Sequence, residues 1–186
     1  MSDEQAAAIL ERRARALARP MTRPGEGRGQ TLVTFTRGAR YALPVAVIRE
    51  VRPYTSPQPL PGAQSFVVGL VTARGGVVPA VDLGTFFGAP AASDPQRLII
   101  IADGTLEVAL LADTAETVAD VPRGLLRRLP AGTPPLAREY GTGMAPEAGV
   151  VLDATRLLRG IASALRSRDV GDRRRAIVTP DEGDAT

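Results

Sequence analysis

Short apolar runs broken by glycine- or proline-marked turns fill most of the chain, the pattern of strands rather than of long helices. The run Leu32-Val-Thr-Phe-Thr36 predicts a strand, and Gly38 predicts a tight turn after it. Residues 41–51 are β-rich, but Pro44 carries no N–H and so marks an edge or a bulge. Residues 54–62 are proline-rich and predict a loop, 66–73 a strand, Arg74-Gly75-Gly76 a turn, and 77–81 another strand. Asp82 is placed to cap a short helical turn over 83–87, which Gly88 closes.

The two ends read differently. Residues 2–18 predict a helix that opens on a Ser2/Gln5 capping box. Ile9, Leu10, Ala14 and Leu17 fall on one of its faces, with Glu11, Arg12, Arg13 and Arg15 on the rest. Such a helix is either simply solvated or docks its short apolar stripe on the body or on a partner. Pro20, Pro24, Gly25, Gly27 and Gly29 then form a linker. At the other end, Leu157, Leu158, Ile161, Ala164 and Leu165 recur at helical spacing, which predicts a helix over 154–168. The polar, mixed-charge tail over 171–186 is expected to be disordered.

Within this pattern the chain repeats itself. Leu32-Val-Thr-Phe-Thr-Arg-Gly38 returns 66 residues later as Leu98-Ile-Ile-Ile-Ala-Asp-Gly104, and Glu50 and Glu116 keep that offset. Val78-Pro-Ala-Val-Asp82-Leu83 faces Gly149-Val-Val-Leu-Asp153-Ala154, 71 residues on, the extra length fitting the longer loop over 122–135. A repeat unit this small buries only about 60% of its unfolded surface, so two copies packed together are expected rather than two beads.

Composition narrows the chemistry. All 23 basic residues are arginine, and the 186 residues contain no lysine, histidine or cysteine. This excludes a Ser-His-Asp triad, a cysteine nucleophile, a Schiff-base lysine, and metal sites built on imidazole or thiolate. The carboxylates that remain, Asp103, Glu107, Asp113, Glu116 and Asp120, have mixed spacings with no cation-loop pattern and suit solvent-facing positions. Asp82 and Asp153 suit helix caps, with carboxylate hydrolysis as the enzymatic alternative. No catalytic, cofactor or metal residue is expected. Gly25-Glu-Gly27-Arg-Gly29 follows no strand, so it is a poor phosphate cradle. The net charge is +3, with eleven arginines against five acidic residues over 121–175. Only 4% of residues are aromatic, which leaves few stacking platforms, and nucleic acid is the remote alternative. Asp3, Glu4 and Glu11 precede the first arginine, the wrong charge order for a secretory leader, and no apolar run approaches the ~20 residues of a membrane helix. A cytoplasmic protein is expected, with no direct membrane insertion.

Arg74-Gly75-Gly76 displays a guanidinium on a turn between two apolar strands, well placed to pair with a carboxylate. Around it the residues carry a family likeness. The run Leu32-Val-Thr-Phe, Gly38, Tyr41-Ala-Leu-Pro and Ile48-Arg-Glu50-Val51 resembles the opening of CheW-like domains. The likeness continues through Pro59-Leu60-Pro61, Val68-Gly69, Arg74-Gly75, Val78-Pro79-Ala-Val-Asp82-Leu83, Leu98-Ile-Ile-Ile, Ala112-Asp113, Val151-Leu-Asp153 and Leu157-Leu158. The usual Asn-Leu-Arg-Gly of that family is Thr72-Ala73-Arg74-Gly75 in this chain, and the arginine-rich loop over 123–128 matches no part of the pattern.

The resemblance implies a mainly β fold: two intertwined, five-stranded SH3-like barrels related by a pseudo-twofold, with N-terminal and C-terminal helices added. The expected division is a helix and linker over 1–29, the CheW-like domain over 30–165 and a flexible tail over 166–186. It also implies a non-enzymatic adaptor role, linking the cytoplasmic tip of methyl-accepting chemoreceptors to the regulatory domain of a CheA-type histidine kinase. A regulator of a non-flagellar array, or a competitor of such an adaptor, is the nearest alternative. Carried over by position, Val45, Ile48, Glu50, Arg74 and Gly75 are the expected partner-binding residues.

Overall fold

The computed structural model describes residues 29–74, 76–90, 93–122 and 125–176. The expected N-terminal helix, most of its linker, and the final ten residues lie outside the described residues, as does Gly75. The strands are β1 (Gly29–Arg37), β2 (Ala39–Pro44), β3 (Ile48–Pro53), β4 (Val67–Ala73), β5 (Gly76–Val81), β6 (Arg97–Asp103), β7 (Leu106–Ala112), β8 (Thr114–Pro122), β9 (Gly141–Ala145) and β10 (Gly149–Leu152). Helices α1 (Leu83–Phe86), α2 (Pro135–Tyr140) and α3 (Ala154–Ala176) complete it, with a 3-10 turn over Val45–Val47.

Two five-stranded sheets result, in the orders β8-β1-β2-β10-β9 and β3-β6-β7-β5-β4. Advancing every strand of the first order by five, cyclically, gives the second. Each sheet thus takes the first hairpin of one repeat and the last three strands of the other. The intertwining is visible in single hydrogen-bonded pairs. Glu50 lies opposite Ile100, and Glu116 opposite Thr34. Ala80 lies beside Ala109 in a parallel pair, and Val151 beside Ala42. The Asp82 N–H donates to the Phe66 carbonyl at 2.8 Å, and the Asp153 N–H to that of Tyr140 at 2.8 Å. The offsets of 66 and 71 legible in the sequence therefore describe real equivalences, with 67 between β2 and β7 because the second hairpin turn is one residue longer.

Pro44 is where the chain changes sheet. It ends β2, the 3-10 turn follows, and β3 then pairs with β6 in the other sheet. The single β-rich stretch expected over 41–51 is two strands, because proline cannot donate to the ladder beyond it. Neither sheet closes its main-chain ladder into a full barrel. The edges β3 and β4 are instead tied by Arg52, whose Nη2 donates to the Thr72 carbonyl at 2.7 Å.

The core has three compartments. Leu98 and Ile100 point into one sheet with Val71, Ala73, Val78 and Leu111. Leu32 and Ala42 point into the other with Val121, Ala145 and Val151. Ile99 and Ile101 face the opposite way, into a larger core between the sheets, where they meet Phe35, Tyr41, Leu83, Phe87, Tyr140, Leu157 and Ile161. A strand buried on both faces needs no polar alternation, which explains the unbroken Leu98-Ile-Ile-Ile run. The same core fixes the registry of α3 through Leu157, Leu158 and Ile161.

Two further expectations change. The C-terminal helix continues to Ala176 rather than stopping near 168, so its last turns take up the first part of the expected tail. Arginine and alanine favour a helix enough for it to run past Gly171. Asp113 is also no solvent-facing acid. It pairs with Arg37 Nη1 at 2.9 Å, its side chain 20% exposed.

Candidate functional site

β3 and β4 are the two edge strands of their sheet, drawn together where Arg52 reaches the Thr72 carbonyl. Glu50 and Arg52, opposite Ile100 and Leu98, share a face, whereas the bulge between Ile48 and Glu50 puts Ile48, opposite Ile101, on the other; all three are partly buried. The Glu50 side chain, 29% exposed, stands 4.0 Å from Arg74 Nε, while Arg74 is 74% exposed. Arg74 follows directly on β4, and Arg52 holds that strand edge beside β3. Arg52 Nε is buried without a hydrogen-bond partner among the described residues. Val51, on the other face of β3, and Val77, opposite Thr72, are among the exposed large apolar residues.

The five expected site residues are thus brought together only in part. Glu50 and Arg74 meet. Ile48 precedes Glu50 on the same strand, but its side chain packs against the central core, so it supports the rim more than it offers a surface. Val45 is presented to solvent on the 3-10 turn, 45% exposed. Gly75 lies outside the described residues. Among the described residues no group of three or more His, Cys, Asp or Glu side chains is arranged to hold a metal ion.

The most buried charges lie elsewhere, on a residue the sequence reading passes over. Arg37, at the end of β1, donates through Nε and Nη2 to Asp82 Oδ2 at 3.0 and 2.6 Å. Its Nη1 donates to Asp113 Oδ1 at 2.9 Å and to the Ser93 carbonyl at 2.7 Å. Burial alone would lower the pKa of this guanidinium, but its bonds to the two carboxylates outweigh that and leave it above its ordinary value. Asp82 also caps α1, its Oδ1 accepting the Thr85 N–H at 3.2 Å. Asp153 likewise accepts from the Arg156 N–H at 3.0 Å. Both aspartates are therefore caps, as their positions in the repeat predict. Burial raises the pKa of the Tyr41 hydroxyl in the central core, helped by the Asp82 charge. The only sequence signal for Arg37 is its twofold equivalent Asp103, a reversal of charge at matched positions.

Two sheets that exchange hairpins across an internal duplication, with an exposed acid–base pair on one rim, define a duplicated β domain built to present edges and turns. The model of the CheW-like domain matches residues 30–162, and the chain belongs to that family of chemotaxis adaptors. The chemotaxis protein CheW of Bacillus subtilis is 29% identical over 56% of this chain and 69% of its own length. That of Rhizobium meliloti is 31% identical over 50% of this chain and 62% of its own. The fold is similar to that in the crystal structure of the scaffolding protein TtCheW from Thermoanaerobacter tengcongensis. There the TM-score is 0.57 and the identity 22%, over 67% of this chain and 87% of that one. No described helix is long and apolar enough to cross a membrane.

Proposed function

We propose that this chain is a non-enzymatic adaptor that couples chemoreceptors to a CheA-type histidine kinase, working in the cytoplasm and held at receptor arrays by its partners. The receptor's cytoplasmic tip and the kinase's regulatory domain are the two partners, and Val45, Ile48, Glu50, Arg74 and Gly75 mark the docking surface. The observation that carries this reading is the Glu50–Arg74 pair. At 4.0 Å and largely solvated, it contributes little to stability, so a partner carboxylate can take Arg74 over at small cost. Val45, on its turn, supplies exposed apolar area of the kind a reversible interface uses.

The test is the affinity of receptor tip and kinase regulatory domain for the purified protein and three variants. Arg74→Ala and Val45→Asp lie at exposed positions, so each should weaken at least one partner by about tenfold or more while the circular dichroism spectrum is unchanged. Ile48→Asp should weaken binding too, with some loss of stability because the side chain packs on the core. Undiminished binding of both partners by all three variants would refute the site assignment.

A further inference from the structure

The arginine-rich loop that matches no part of the family pattern has a definite seat in the fold. The Arg127 N–H donates to the Met144 carbonyl and the Met144 N–H to that of Arg127, both at 2.9 Å, so the segment lies along the edge of β9. Leu126 packs against the core of that sheet. A Cβ at Gly143 would come within 3.1 Å of Leu126 Cβ, and one at Gly141 within 2.8 Å of Leu129 Cδ1. The two glycines of β9 thus leave the room in which two leucines of the loop sit. Arg138, on α2, ties down the far end, its Nη2 donating to the Ala131 carbonyl at 2.6 Å. Turned outward are Leu125, 56% exposed, and the side chains of Arg127 and Arg128. Among the described residues neither guanidinium meets an acceptor.

The fold itself does not ask for these charges, as its other half demonstrates. Gly69 lies opposite Ala80 in one sheet, and Gly143 opposite Val151, the equivalent of Ala80, in the other. Next to them, Gln58 and Leu70 exchange two main-chain bonds at 2.8 Å, as Arg127 and Met144 do. Yet from residue 53 to residue 66 the chain carries no charged side chain. The same main-chain seat is therefore filled by an uncharged, proline-rich loop in one half and by a dibasic one in the other. Packing accounts for Leu126 and Leu129, but it leaves Arg127 and Arg128 without a structural role.

We propose that this segment is a docking surface for an acidic stretch of a partner protein, in which Arg127 and Arg128 pair with carboxylates and Leu125 is covered beside them. A guanidinium is weakly hydrated and matches the planar carboxylate. Main-chain bonds and two part-buried leucines order the segment before a partner arrives, which lowers the cost of binding. Other polyanions fit less well. No aromatic residue lies between 125 and 139 for bases to stack on. Two exposed arginines also fall short of the roughly 4–8 basic residues of a lipid-binding cluster. The surface sits at the edge of β9, in the sheet that does not contain β3 and β4, so it stands whatever the Glu50–Arg74 pair binds.

The test titrates the full chain against a fluorescent acidic peptide of glutamate and leucine at low salt, followed by anisotropy. The peptide should bind and its glutamine counterpart should not. The double variant Arg127→Gln with Arg128→Gln should weaken binding by about tenfold or more, and Leu125→Ser should weaken it too. Arg156→Gln with Arg159→Gln removes the same charge from exposed positions on α3 and should leave binding unchanged, as should Arg74→Ala. In the wild type, which needs no variant to fold, the peptide should shift the amide resonances of Arg127 and Arg128. A peptide that does not bind, unmoved resonances at those two residues, or equal weakening by the two double variants would each overturn the proposal. So would tighter binding of single-stranded DNA or of phosphatidylserine vesicles than of the peptide.

Discussion

Replacing Arg37 by methionine removes a cation that three groups share while keeping most of its apolar volume. Asp82 loses both N–H donors to Oδ2, and its side chain, 9% exposed, becomes a buried carboxylate with only the α1 cap left. Asp113 and the Ser93 carbonyl each lose a donor, but Asp113 is wetter and recovers part of its hydration. Removing one partner of a buried ion pair costs about 3–5 kcal/mol, and the exposure of Asp113 places this case near the lower figure. A loss of about 3 kcal/mol is a large part of the ~5–15 kcal/mol that holds a domain of this size, and lowers its Tm by roughly 6–12 °C. Urea unfolding followed by circular dichroism measures it, with the slope m checked for constancy. The double change Arg37→Met with Asp82→Asn should regain part of the loss, because the uncompensated charge is gone while asparagine still caps α1. A loss under about 1 kcal/mol, or a double variant no more stable than the single one, would refute the view that Arg37 pins this junction.

Three other outcomes follow from the packing. A Cβ at Gly160 would lie 2.3 Å from the Tyr140 hydroxyl oxygen, so Gly160→Ala should destabilise by about 1–2 kcal/mol in thermal melts despite alanine's better helix propensity. Arg52→Met removes the tie between β3 and β4, and hydrogen exchange along that rim should quicken by about tenfold, the loss of one charge-assisted bond. Burial raises the pKa of Tyr41 and Tyr140 in the folded chain, so their contribution to stability is complete below the unfolded value of 10.0. That contribution is lost as the pH climbs through the folded values, so urea midpoints should fall in strong alkali, and tyrosinate absorbance should appear together with unfolding.

The strands were legible in the sequence wherever burial is one-sided or punctuated, and so was the duplication, because Gly38 and Gly104, Glu50 and Glu116, and Asp82 and Asp153 hold turn, pairing and cap positions that both copies need. The exchange of hairpins was available only through family likeness, since nothing local says that the strand after Pro44 pairs with Leu98 and not with its own hairpin. β9 and α2 left no clear trace. Gly141-Thr-Gly-Met-Ala has too little apolar character to read as a strand, and α2 is six residues long. Arg37 was invisible for a different reason. A buried arginine differs from a solvated one only through partners at Asp82 and Asp113, 45 and 76 residues away. Of the proposed docking residues, Arg74 was legible from its glycine turn, whereas its approach to Glu50 depends on two sheet edges that Arg52 draws together.

The most direct test of the adaptor role is the autophosphorylation rate of the cognate CheA-type kinase with receptor-bearing membranes, measured with and without this protein. The coupling account predicts that the rate becomes strongly receptor-dependent only when the protein is added, and that Arg74→Ala abolishes most of the gain. A kinase whose rate is indifferent to the protein, with receptors present and at saturating concentration, would contradict it.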